Sequence, residues 1–456
     1  MSATPVLPAT SLPLAELLAS LSYALDMTEG QPPGHCIRAC WIGTHIGQAI
    51  GLEGQALSDL YYTLLLKDLG CSSNAARIAE LYLADDRRFK HDFKFEDTGL
   101  AGALKFVFTH TGRESDLASR VKAISHIMLN GPAVVHEMIA TRCTRGADIA
   151  RQLRFSEEVA GGIHSLDEHW DGSGHPAHLT GESIPLNARI ALISQVADVF
   201  FKSGGHDAAI SEVQARSGRW FDPALVAAFL EVAKSEAFWT ALGSDAISGH
   251  IFRLPPGRAR IRVDEDWMDD IVAAYGQVID AKSPFTSGHS ERVAQYAEGM
   301  GRHLGLDPQR LRWLRRAAAL HDVGKLGVSS RILEKPGKLS DEEWVEMRDH
   351  AVHSNTILSY VSAFEDLAPI AAAHHERLDG KGYPLGLKGH EIPIETRIIT
   401  VADFFDALTA DRPYRAAMPL EKALGIIRAE IGSAVDPDCF AALLAILPAS
   451  SARSAA

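Results

Sequence analysis

The sequence predicts an all-α protein built from two tandem helical domains. Two observations carry this. Apolar residues recur at spacings of three and four over most of the 456 residues, whereas period-two alternation is scarce. Blocks of the first half also reappear in order in the second. The length suits two to three domains, each large enough to bury a core. In 291–304, Val293, Tyr296, Met300 and Leu304 mark one helical face; in 311–320, Leu311, Leu314 and Ala318 mark another. RIITVADFFDAL (397–408) fits a further helix with Ile398, Val401, Phe405 and Leu408 inward.

The repeat sets the domain boundaries. HCIRACWIGTHIGQAIGL (35–52) pairs with HSERVAQYAEGMGRHLGL (289–306), and His35 precedes Lys67-Asp68 by the same 32 residues that separate His289 from His321-Asp322. DGSGHPAHLTGESIP (171–185) aligns without a gap on DGKGYPLGLKGHEIP (379–393). The offset falls from 254 to 208 between these blocks, so the first copy carries 46 extra residues, placed within 72–135 around DDRRFKHDFKFED. The expected organisation is a first copy over 12–201, a helical linker region over 202–271 containing the basic, proline-bearing RLPPGRARIR, and a second copy over 272–448.

Composition narrows the partners. The formal charge of −13 provides no global field for a nucleic acid polymer, so a phosphate-bearing ligand needs a local cluster of cations. No run of about 18 uncharged apolar residues supports a membrane span. The N-terminal stretch has no basic residue ahead of its apolar part, and the expected compartment is the cytoplasm. Cys36, Cys40, Cys71, Cys143 and Cys439 are odd in number and lack paired spacing, which argues against a disulfide framework or a zinc ribbon.

The second copy concentrates metal-ligand side chains: His289, His321-Asp322, His350, His374-His375 and Asp403. Imidazoles with carboxylates suit Zn, Fe, Mn or Ni better than Mg or Ca, which prefer oxygen shells. Five histidines and two aspartates exceed the needs of one tetrahedral site. They fit two neighbouring ions bridged by a carboxylate. Adjacent histidines on a helix point about 100° apart, so His374 and His375 meet one ion only where the helix ends. Single histidines such as His303 and His353 read as ordinary helix residues.

The joint order H…HDxGK…H…HHExxDGxGYP…VAD resembles the HD-GYP domain, the metal-dependent branch of the HD phosphohydrolase superfamily. SGHSERV (287–293), HDVGK (321–325), HHERLDGKGYP (374–384) and VADFFDALTADRPYR (401–415) carry the resemblance. It implies an all-helical fold and hydrolysis of cyclic di-GMP by a hydroxide bridging two divalent transition-metal ions. By the same resemblance His289, His321, Asp322 and Asp403 hold one ion, while His350, His374 and His375 complete the second site across Asp322. Lys325 meets a phosphate oxygen or the leaving group. Gly382, Tyr383, Arg412 and Arg415 face the ligand. Members with three metals carry a glutamate where Phe285 stands here, which favours two. Rival readings are a receptor that binds a cyclic dinucleotide without cleaving it, and hydrolysis of another nucleotide.

The first copy keeps His35 and Asp68 but places Lys67 where the HD pair has His321, and Cys71 where the second copy has Lys325. Arg142 stands for His350, Leu166-Asp167 for the double histidine, and Gln195 for Asp403, with Asp198 nearly a helical turn later. Permanent cations in ligand positions repel a dication. The first copy is expected to be a degenerate HD-GYP-like domain, kept for packing, dimerisation or sensing, through which a second copy of the chain or a signalling partner would dock.

Overall fold

The computed structural model describes residues 14–95, 100–113, 115–258, 261, 263–411 and 416–447. The described residues form helices and turns with isolated bridges and no β-strand. None of their helices is long and apolar enough to cross a membrane. The chain divides into two units at Trp267–Met268.

In the first unit, α1 (Leu14–Thr28), α2 (His35–Ala49) and α3 (Gly54–Leu66) pack together, followed by α4 (Leu117–Gln152), α5 (Glu157–His164) and α6 (Leu186–Ala215). Leu17, Leu21, Ile42, Leu60 and Leu64 are fully buried among them. The stretch where the sequence places its extra residues folds as short helices with a small core of their own, in which Ile78, Tyr82, Phe89 and Phe106 pack with Ile127 and Val134. Residues 201 and 202 both lie inside α6, which bends at Gly205 (φ 76°), and helices Pro223–Val232 and Glu236–Leu242 follow.

Helix α7 (Glu265–Asp280) starts three residues before the Trp267–Met268 division, and the second unit holds the rest of it with α8 (His289–His303), α9 (Pro308–Leu320), α10 (Asp341–Ser359), α11 (Leu367–Ala372), α12 (Ile394–Thr409), α13 (Leu420–Ala429) and α14 (Pro437–Ile446). The predicted faces are the inward ones. Val293, Met300, Leu311, Leu314, Ala318, Ile398, Val401 and Phe405 are buried, and Tyr296, Leu304 and Leu408 are half-buried. Local signals set the helix starts: Asp307 accepts from the backbone of Gln309 and Arg310 ahead of Pro308, and Ser340 forms a capping box with Glu343.

Two devices hold the functional turns, and both units use them. The carboxylate of buried Glu376 accepts from the backbone N–H groups of Leu385 (2.6 Å), Gly386 (3.1 Å) and Leu387 (2.8 Å), anchoring the 379–387 turn from inside. Glu168 does the same for Ala177 and Leu179 at 2.6 and 2.9 Å. The third residue of the HHE run is therefore a loop anchor, a role the sequence reading did not assign. The second device is a close helix approach. A Cβ on Gly324 would lie 1.9 Å from the carbonyl oxygen of His350, and one on Gly70 would lie 1.9 Å from that of Arg142. Ser354, one turn after His350, accepts from Gly324 N–H and donates to the His321 carbonyl, both at 2.9 Å. Glycine in HDVGK thus lets α10 bring His350 against the HD pair.

Because no flexible side chain can yield at that contact, Gly324→Ala is expected to force α10 away and destabilise the protein by about 1–3 kcal/mol. Urea denaturation measures this; an unchanged midpoint contradicts the close-approach account.

Candidate metal centre

Each predicted ligand arrives by a different local rule. His289 opens α8 directly after Gly288, whose φ of 69° turns the chain into the helix. His321 caps the end of α9 and Asp322 follows in the turn; His350 lies within α10. His374 and His375 come just after α11 ends at Ala372. The pair is thus released from helical spacing, and both rings join His350 in one group whose ligand atoms lie within 4.8 Å of one another. This resolves the geometric objection that two adjacent helical histidines point apart. Asp403 comes from α12 and forms such a group with His321 and His374.

Asp322 lies at the middle. Its Oδ2 is 3.4 Å from His289 Nε2 and 3.2 Å from His321 Nε2; its Oδ1 is 3.7 Å from both His350 Nε2 and His374 Nε2. One buried carboxylate therefore shows a different pair of imidazoles to each oxygen. Asp403 Oδ1 is 3.4 Å from His289 Nε2 and 3.8 Å from His321 Nε2. Lys325 Nζ donates to Asp322 Oδ2 at 2.5 Å, and its side chain is 20% exposed. Tyr383 stacks on His375 with centroids 4.7 Å apart, and the Arg348 guanidinium lies over the same ring. Gly382 has its own packing reason, since a Cβ there would meet Arg377 N at 2.4 Å. Arg412 and Arg415 lie outside the described residues. His303 and His353 join none of these groups.

The fit to metal rests on unsatisfied atoms. Nε2 of His289, His321, His350 and His374, together with Asp322 Oδ1, are buried without a hydrogen-bond partner. Such vacancies are costly unless a ligand fills them. The opposite ring nitrogens are all occupied: Nδ1 of His321 and His374 bonds the carbonyls of Ala318 and Ala371 at 2.7 Å, and Nδ1 of His350 bonds that of Met347. Those bonds fix the tautomer that leaves Nε2 free to ligate. Burial pushes His350 down to about 4 and His375 down to about 3, keeping both imidazoles neutral as ligands must be. Burial also opposes charge on His321, but Asp322 and Asp403 overcome it and pull that ring up to about 10. Those two carboxylates, held well below the usual range by neighbouring cationic groups against the cost of burial, demand positive charge. The donor set fits divalent transition metals.

The sequence reading missed Asp406 and Arg292. His289 Nδ1 donates to Asp406 Oδ2 at 2.7 Å, and Arg292 Nε donates to Oδ1 of the same carboxylate at 2.6 Å. The signal was there: Asp406 is one turn after Asp403, and Arg292 one turn after His289. In the first unit His35 and Arg38 bond Asp198 in the same way, at 2.7 and 2.5 Å, which makes Asp198 the counterpart of Asp406. There Lys67 Nζ, fully buried, pairs with Asp68 and lies 3.0 Å from His35 Nε2. Arg142 pairs with Asp167.

Asp406→Ala should free the His289 ring and lower metal affinity about 10–100-fold, with activity restored by excess metal. Titration of metal-stripped protein checks this; affinity equal to the parent's would show that Asp406 does not orient the ligand.

The HD domain model matches residues 133–225 and 274–439. The 3'3'-cGAMP-specific phosphodiesterase 3 of Vibrio cholerae is 53% identical over 95% of this chain and 94% of that protein. The cyclic di-GMP phosphodiesterase response regulator RpfG of Xanthomonas campestris is 40% identical over 38% of this chain and 47% of its own length. A crystal structure of the V. cholerae cyclic GMP-AMP specific phosphodiesterase V-cGAP3 has 48% sequence identity and superposes with a TM-score of 0.66, covering 96% of this chain and 99% of that one. With a family model spread over both halves and a relative alike along nearly the whole chain, the protein belongs to the HD domain family, in its HD-GYP branch.

Proposed function

We propose that the second unit is a two-metal phosphodiesterase that opens cyclic dinucleotides, with 3'3'-cGAMP as its preferred substrate. The observation that carries the catalytic reading is Asp322, a buried carboxylate with two imidazoles facing each oxygen. In this reading His289, His321 and Asp403 complete one site, and His350, His374 and His375 the other. Phe285 leaves no carboxylate for a third. The mixed imidazole and carboxylate set suits Fe, Mn, Ni or Zn.

Bound there, such cations supply Lewis-acid charge and a water acidic enough to attack near neutral pH. The chain's own residues do the rest. Asp322 fixes the spacing of the two sites, and the carbonyl-held imidazoles keep Nε2 aimed at it. Phosphoryl transfer builds charge on the equatorial oxygens. Lys325, partly exposed beside Asp322, meets that charge. The water oxygen bonds phosphorus in line as the bond to the ribose oxygen breaks, and the departing oxygen takes up a proton equivalent to the one the water gives up. Tyr383, stacked on His375, faces the ligand together with Gly382, and Arg412 and Arg415 grip a phosphate or a guanine edge.

Support for 3'3'-cGAMP is the reach of the likeness: the V. cholerae relative with that specificity matches 95% of the chain. Cyclic di-GMP is the second reading. It is favoured by the Xanthomonas relative and by a Thermotoga maritima cyclic di-GMP phosphodiesterase, which match 38% and 40% of the chain. In the first unit, Lys67 occupies the matching centre, pairs with Asp68 and is held in its charged form against burial chiefly by that carboxylate. We read it as a degenerate copy that binds no ion at that position.

Asp322→Ala should reduce hydrolysis at least about 1,000-fold, a loss of roughly 4 kcal/mol, with helical content retained by circular dichroism. Normal turnover by the metal-loaded variant would overturn the assignment. Side-by-side assays of the parent should show faster turnover of 3'3'-cGAMP than of cyclic di-GMP; the reverse order selects the second reading.

A further inference from the structure

The turn of the first unit carries a feature its counterpart lacks. His136 on α4 and His175 and His178 on the 171–185 turn each offer a ring nitrogen, and those atoms lie within 4.8 Å of one another. His136 Nδ1 and His175 Nδ1 are 3.5 Å apart. A tetrahedral ion with bonds of about 2.0–2.1 Å to nitrogen needs its ligands roughly 3.4 Å apart, so this pair already has the required separation. His178 stacks toward His136 and meets His175 edge-on, with ring centroids 6.2 and 4.7 Å away.

The backbone beneath two of the rings is fixed. His175 N–H donates to the Asp167 carbonyl at 3.0 Å. The residues on either side of His178 are held by buried Glu168. His178 itself has a φ of 55°, and the matching residue 208 positions later is Gly386 at 70°. Glycine enters that region freely, whereas a side chain there is uncommon. The other two positions hold Trp344 and Tyr383 in the second unit. Three positions that carry an indole, a phenol and no side chain in one copy thus all carry imidazole in the other.

We propose that His136, His175 and His178 form a separate site for a borderline divalent transition metal, of the Zn, Co, Ni or Cu class, in the first unit. The absence of a carboxylate from the three disfavours Mg and Ca. His136 and His178 are exposed, which leaves the remaining coordination position to water. A cation here ties the turn to the 36-residue helix α4, a link made in the second unit by aromatic packing around Arg348. None of the three is among the groups that pair with Lys67 and Asp68, so this site uses other side chains than the lost metal centre.

The test uses untagged, metal-stripped full-length protein titrated with Co(II). Metal equivalents are counted after gel filtration, and the visible absorption bands of the bound ion are recorded. An Asp322→Ala background lowers binding in the second unit. Within that background, His136→Ala and His178→Gly should each remove one equivalent, or weaken it at least tenfold, and abolish its bands. In the otherwise unaltered chain, both substitutions should leave phosphodiesterase turnover unchanged. Co(II) uptake and spectra that are the same with all three histidines as without them would overturn the proposal.

Discussion

A carboxylate buried to 1% exposure between four imidazoles is the constraint around which the second unit is organised. Asp322 is placed by a turn that must pass beneath α10, and only glycine at 324 permits that approach. The imidazoles around it are neutral or charged according to their distance from carboxylate charge. His350 and His375 are kept neutral by burial, while His321, close to both aspartates, holds a proton. A buried anion of this kind is tolerated only with compensating positive charge. Lys325 supplies part of it directly, and divalent cations would supply more because they would also satisfy the buried Nε2 atoms.

The first unit shows the same carpentry under a different electrostatic solution. The glycine approach, the buried glutamate beneath the turn and the His–Asp–Arg triad at the start of α2 all recur. What differs is the charge at the centre. Lys67 brings a covalently attached cation to the place where His321 stands, and its ammonium group pairs with Asp68 directly. The scaffold and the residues at its centre are thus separable: Lys67 and Arg142 stand where the second unit has His321 and His350, while the packing that frames them persists.

Much of this was legible in the sequence because helical periodicity and metal ligation leave strong local marks. The inward faces of α8, α9 and α12 follow from apolar spacing, and the ligand candidates follow from residue types that rarely cluster. Residues acting through another residue were not legible. Asp406, Arg292 and Glu376 look like ordinary charged side chains until the fold brings His289 or the 379–387 turn onto them. The histidine pair gave a misleading hint of its own, since helical geometry sets neighbours apart and only the end of α11 at Ala372 removes that constraint. The three-histidine cluster was invisible for a related reason: His136 is some 40 residues from its partners along the chain and meets them only through the packing of α4 against the turn.

The central claim is that Asp322 is shared between two ions. Anomalous diffraction from crystals of the metal-loaded protein, recorded on either side of the absorption edge, tests it most directly. The account predicts two peaks about 3.5–4 Å apart, one on each oxygen of Asp322. A single peak, or two peaks of which only one contacts that carboxylate, would contradict it.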